Sequence, residues 1–283
     1  MRRIILIFTL ALLVQVSFAQ KSEYNSKPDL LYNQGKEMFL GGNWTGAIDL
    51  LQQFSYESKD KLLQEEAAYM IAVSAFRMGN ENSDLIMKEF LEEYPETVHI
   101  NQINFLVASH YFKNKEWNKA LLWFNIADLD YLTLSEQEDY SFRSAYTQLQ
   151  LQNMEEATRY FGLLSQNSSK YRDAADFYLG YIEYSNGNYN SALQRFNRLR
   201  NHPEYEEEIA FYTAQASFFD GRIQESINLS TAFIDRYPHS IHNTELYRIL
   251  GNSYYRLGQP TRAIPYYERY MYVTDQPLRG DAY

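Results

Sequence analysis

The chain has 283 residues and no cysteine. A disulfide framework is therefore excluded, and so is any thiolate-ligated metal. Cations are in short supply: 26 Lys and Arg stand against 36 Asp and Glu, a formal charge of −10. An acidic protein of this kind repels nucleic acid and anionic membranes, so neither is expected as a partner. Histidine is scarce, with only His99, His110, His202, His239 and His242. His239 and His242 alone lie close together, in a stretch after Tyr237-Pro238 that reads as a loop. No acidic residue at ligand spacing completes a metal site around them. A Gly-rich phosphate loop, a nucleophile elbow and a zinc-protease helix are all missing. No catalytic residue, cofactor or metal is expected, and the chain reads as a non-enzyme. After residue 19 no run is long and apolar enough to span a bilayer.

Residues 1–19 are a different material. Arg2 and Arg3 give a positive start, Ile4 to Val14 is apolar except for Thr9, and Ser17-Phe18-Ala19 offers small residues for a signal peptidase. Cleavage after Ala19 is expected, and loss of the two arginines would take the charge from −10 to −12. With no cysteine after the apolar run, a lipoprotein anchor is excluded. Export combined with a disulfide-free core points to the periplasm or cell surface of a Gram-negative bacterium. Residues 20–27 form a short N-terminal segment.

What the rest of the chain has is period. In Leu246 to Val273, Tyr247, Leu250, Gly251, Tyr254 and Tyr255 recur at helical steps, and Ala263, Ile264, Tyr267 and Tyr270 form a second stripe. Between them Gly258 suits a left-handed helix end, and Pro260 suits a helix start. Small Gly251 and Ala263, twelve apart, are expected to touch where the two helices cross. The plan recurs backwards. A small residue stands at Gly35, Ala72, Ala108, Ala145, Gly180, Ala214 and Gly251, at gaps of 37, 36, 37, 35, 34 and 37. Twelve residues after each comes Ala47, Asp84, Ala120, Ala157, Ala192, Ser226 or Ala263. Each interval contains a turn rich in Gly and Asn, such as Gly41-Gly42-Asn43 and Asn186-Gly187-Asn188, although Asn114-Lys115 and Gln152-Asn153 lack glycine. Pro95, Pro203, Pro238 and Pro277 mark repeat ends, because proline cannot continue a helix.

This pattern of an aromatic, Leu-Gly, paired Tyr, Gly, then Ala followed by aromatics resembles the tetratricopeptide repeat. The resemblance implies an all-α fold: a right-handed α-solenoid of seven helix-turn-helix repeats over 28–277, with the start of a further repeat at 278–283. The second repeat departs from the pattern. Asp84 replaces the small residue and Lys88 stands where others have an aromatic or Leu, so its second helix is expected to shift register or pack loosely. The last helix, with Tyr266, Tyr267, Tyr270, Met271 and Tyr272, is not the polar cap that a solenoid end needs, so a longer natural chain is expected.

In the family the first helices line the concave side. By resemblance, the residues flanking each anchor edge a groove: Tyr32, Tyr69, Phe105, Phe142, Phe177, Phe211 and Arg248 three before, and Phe39, Phe76, Phe112, Tyr184, Phe218 and Tyr255 four after. Tyr146, Tyr181 and Asn252, each directly after an anchor, complete the candidate set. Such a ladder can hold apolar side chains of a peptide or stack on sugar rings; equally, it can pack between successive first helices and simply build the solenoid. Arg248 and Asn252 occupy places where some peptide-binding relatives clamp a C-terminal carboxylate; the basic residues there can equally pair with nearby acids on a solvated face. The function expected is a protein or peptide-binding scaffold of the cell envelope. The rival readings are a module for cell-wall glycan and an accessory region of a larger envelope protein.

Overall fold

The computed structural model describes residues 27–79, 83–167 and 169–274, without the side chains of Ser83 and Asp84. The expected leader at 1–19, most of the segment at 20–27 and the expected repeat start at 278–283 lie outside the described residues. Fourteen α-helices and one short 3-10 turn occur among the described residues, and no strand. They form seven hairpins in two compact units, one ending at Leu132 and the other beginning at Thr133.

The first unit holds α1 (Lys27–Leu40) with α2 (Trp44–Glu57), α3 (Lys61–Arg77) with α4 (Ser83–Glu93), and α5 (Ile100–Lys113) with α6 (Trp117–Ile126), then the 3-10 turn Leu129–Tyr131. The second holds α7 (Leu134–Gln150) with α8 (Met154–Gln166), α9 (Arg172–Ser185) with α10 (Tyr189–Arg198), α11 (Glu206–Phe219) with α12 (Ile223–Arg236), and α13 (Asn243–Arg256) with α14 (Pro260–Thr274). Thr133 starts α7 with a capping box: its hydroxyl accepts from Glu136 N at 3.3 Å and Glu136 Oε2 accepts from Thr133 N at 2.9 Å.

All seven turns share one geometry. The residue seven after each anchor is left-handed: Gly42, Gly79, Lys115, Gln152, Gly187, Gly221 and Gly258, with φ between 59° and 82°. In six of them the next N–H reaches back to a carbonyl five residues earlier, as Asn188 N to Glu183 O at 2.8 Å does. That bond closes a Schellman end and satisfies a carbonyl the helix would leave open.

The anchors are buried, and so are their described partners. In the sixth hairpin the two touch directly, because Ser226 Oγ donates to Ala214 O at 2.9 Å, so the hydroxyl that replaces an alanine is satisfied inside the core. At Gly251 the atoms nearest an added Cβ belong to the ring of Tyr267, at 2.6 Å. Tyr267 lies one turn beyond Ala263 on the same stripe. The same slot, sixteen after the anchor, puts Leu51 2.7 Å from a Cβ at Gly35 and Phe196 2.7 Å from one at Gly180. Phe124 and Phe161 fill it fully buried in the third and fourth hairpins. Each such ring removes enough apolar surface from water to contribute roughly 1.5–3 kcal/mol.

The second hairpin does shift register. Met87 and Phe90 are buried and Lys88 is exposed, so the filled slots stand fifteen and eighteen after Ala72, where Leu51 and Phe54 stand sixteen and nineteen after Gly35. The apolar stripe thus begins one residue earlier, and the helix turns to keep it inward.

Candidate functional site

Most of the expected groove aromatics build the repeats. Four of the rings three before an anchor stack flat on a ring that stands at the first-helix N-cap of the next repeat. Tyr69 lies on His99 at 3.7 Å and 7°, Phe142 on Tyr171 at 4.3 Å and 9°, Phe177 on Tyr205 at 4.7 Å and 11°, and Phe211 on His242 at 4.0 Å and 21°. None of the four N-cap side chains makes a capping hydrogen bond. The position gives up the usual polar cap for a ring contact between repeats, which is worth about 0.5–1.5 kcal/mol beyond its area. Two of the rings also reach back a repeat with polar atoms: His99 Nε2 sits 2.9 Å from Glu66 Oε1, and Tyr171 Oη donates to Asp139 Oδ1 at 2.9 Å. His242 thus has a defined packing role that its loop-like sequence context does not announce. The signal for these staples was present as a ring nine residues before the anchors at 108, 180, 214 and 251.

The rings four after the anchor have another job. Phe39 meets Trp44 edge-on at 5.9 Å, Phe112 meets Trp117 at 5.7 Å, and Tyr184 meets Tyr189 at 5.8 Å. Each pair brackets a left-handed turn and pins one helix of a hairpin to the other. Tyr32, Phe76, Phe105, Phe177, Phe211 and Phe218 are buried, while Tyr255 is 66% exposed.

What remains open is a face in the second unit. Tyr178 and Tyr212, two before the anchors Gly180 and Ala214, join Tyr181 beside a cavity of about 390 Å³. Phe177, Leu149 and Met154 form its apolar floor, Gln150 and Gln152 part of its rim, and Glu208 carries its one charge. Three successive first helices, α7, α9 and α11, supply most of the wall. Tyr181 and Tyr212 stand edge-to-face at 5.4 Å, and Tyr146 meets Tyr178 at 5.3 Å. Burial, then the neighbouring Tyr181 and Glu208, push the Tyr212 phenol up to about 12. The Tyr178 phenol is raised further, first by burial and then by Tyr146, Tyr205, Glu204 and Glu208. Both phenols are therefore neutral at ordinary pH and present π faces and hydroxyls, with no charge. Tyr178 and Tyr212 were outside the expected set, although a tyrosine two before two successive anchors is legible in the chain.

A family model described as a tetratricopeptide repeat matches residues 247–272. A tetratricopeptide repeat protein from Parabacteroides merdae superposes with a TM-score of 0.50 at 18% identity, over 87% of this chain and 92% of that one. The hairpins thus share the tetratricopeptide-repeat fold, and residues 247–272 match the repeat itself. MamA 41-end from Desulfovibrio magneticus is also similar in fold, with a TM-score of 0.53 at 11% identity over 62% of this chain and 95% of that one. No curated protein matches the sequence at comparable significance.

The candidate carboxylate clamp is already engaged internally. Arg248 forks onto Glu245, with Nε donating to Oε2 at 2.9 Å and Nη2 donating to Oε1. Asn252 Oδ1 accepts from Tyr267 Oη at 2.8 Å. Among the described residues no group of His, Asp and Glu could hold a metal ion, and no helix is long and apolar enough to cross a membrane.

Proposed function

We propose that this chain is a non-enzymatic scaffold that holds a segment of a partner protein against the tyrosine face of α7, α9 and α11. One observation carries the reading: beside the stapled rings of α7, α9 and α11, Tyr178, Tyr181 and Tyr212 line an open cavity. Such a surface offers rigid, amphipathic contact area at low entropic cost, as aromatic anchors of interfaces do. Three of the five histidines are taken up in packing. His99 and His242 are stacked, and His202 stacks on Tyr205 at 5.0 Å. The leader-like residues 1–19 and the absence of cysteine support a place in the envelope of a Gram-negative cell.

The test is site-specific photocrosslinking in envelope extracts, with a photoreactive phenylalanine analogue in place of Tyr181 or of exposed Tyr255. A discrete protein adduct from position 181 and none from 255 is expected. Adducts with glycan alone, or none at 181, overturn the scaffold reading. N-terminal sequencing of the chain recovered from cells should begin at Gln20; an intact Met1 would remove the export argument.

A further inference from the structure

The cavity has a charge character that its apolar floor conceals. Its wall contains no Lys, Arg or His, and its single ionised group is Glu208 in the first turn of α11. The neighbouring Glu206 is paired with Arg236 at 2.6 Å, whereas Glu208 makes no ion pair among the described residues. Glu208 lines the same cavity as Tyr178 and Tyr212, and its charge adds to the burial that raises both phenols.

A second observation is independent of that one. Elsewhere the chain covers aromatic faces with its own cations: Arg159 lies 4.2 Å from the Tyr160 ring centre, Arg262 4.4 Å from Tyr254, Arg256 4.3 Å from Phe218 and Lys170 5.2 Å from Tyr171. No such cation stands over Tyr178, Tyr181 or Tyr212 among the described residues. Three neutral tyrosines, Tyr178 backed by a stacked Phe161 at 5.1 Å and Tyr212 by Phe196 at 6.0 Å, stand with the Glu208 carboxylate in an electronegative pocket, where ring quadrupole and carboxylate both favour a cation.

We propose that this cavity takes a cationic side chain, Arg or Lys, from a basic segment of the partner protein. The inference rests on the scaffold reading above and names its ligand chemistry. A guanidinium seats against the Tyr181–Tyr212 corner, and Glu208 accepts its N–H groups. The formal charge of −10 draws such a segment in at long range. An apolar side chain would fill the same volume but would leave Glu208 desolvated without a partner, which costs free energy.

The test uses the full chain and two short glycine-serine peptides, identical except for a central Arg or its neutral near-isostere citrulline. Ring signals of Tyr178, Tyr181 and Tyr212 are followed by NMR. The Arg peptide should shift all three and bind about three- to tenfold tighter than the citrulline peptide, with the advantage shrinking as salt rises. Glu208→Gln should cut that advantage by at least half, and circular dichroism should show its helices intact. Glu208→Lys should reverse it. Equal binding of the two peptides, or an Arg preference undiminished by Glu208→Gln, overturns the cation assignment. If position 181 still crosslinks a protein in that case, the scaffold reading stands and only the ligand chemistry falls.

Discussion

Lys115 and Gln152 occupy turn positions that five of the seven repeats give to glycine. Their φ values are 59° and 62°, and both side chains are exposed. A residue with a Cβ in the left-handed region costs about 1–2 kcal/mol. Glycine avoids that cost but loses more backbone entropy on folding, about 0.5–1 kcal/mol relative to alanine. The difference leaves a net stabilisation of about 0.5–1 kcal/mol for Lys115→Gly and for Gln152→Gly. The Schellman bonds are backbone bonds and should survive: Glu116 N to Tyr111 O at 2.9 Å and Asn153 N to Gln148 O at 2.9 Å. The two sites belong to different compact units, so the gains should add in the double variant. The reverse change, Gly187→Ala, meets no atom within 4 Å and should cost a similar amount by conformation alone. Urea unfolding followed by circular dichroism measures this: midpoints should rise for both glycine variants and fall for Gly187→Ala, with slopes unchanged. A lower midpoint for the glycine variants, or an unmoved one for Gly187→Ala, would refute the assignment of strain to these turns.

Three further outcomes can be measured. Gly251→Ala should destabilise by about 1–3 kcal/mol as an overpacking change, because the Tyr267 ring at 2.6 Å is also held through its hydroxyl to Asn252. Gly180→Ala should cost less, since Phe124 and Phe161 occupy the corresponding slot over alanine anchors; equal costs would contradict this. His242→Ala should lower stability by about 0.5–1.5 kcal/mol through loss of the Phe211 stack, and His242→Phe should restore it; no loss in the alanine variant would remove the staple argument. Alkali should unfold the protein. Tyr212 titrates near 12 when folded against an ordinary value of 10.0, so its contribution is intact below pH 10 and is lost as pH rises towards 12. Tyrosinate absorbance and circular dichroism should therefore change together in that window; full ionisation with the helices intact would contradict the burial of these phenols.

The repeat was legible because it is written in residue sizes and turn formers. The small anchors, the partners twelve residues on and the turn residues between them place every helix pair without reference to any distant contact. Even the irregular second repeat declared itself through Lys88, a charge where the stripe needs an apolar group. These are local requirements of helix crossing and helix ending, and local requirements leave local marks. The fate of the aromatics was decided at longer range. Tyr69, Phe142, Phe177 and Phe211 look alike in the chain whether they face a ligand or a neighbour, and only the rings some thirty residues later, at His99, Tyr171, Tyr205 and His242, settle them as staples. Arg248 likewise could serve a clamp or pair with a nearby acid, and the tertiary structure gives it to Glu245. The open cavity at Tyr178, Tyr181 and Tyr212 exists only where three first helices come together, so no single helix encodes it. By itself, then, the chain determined its own repeat, because helix pairing is a short-range matter of size and turn. Which aromatic surface stays uncovered was left to the tertiary structure, because exposure depends on everything that packs around a side chain.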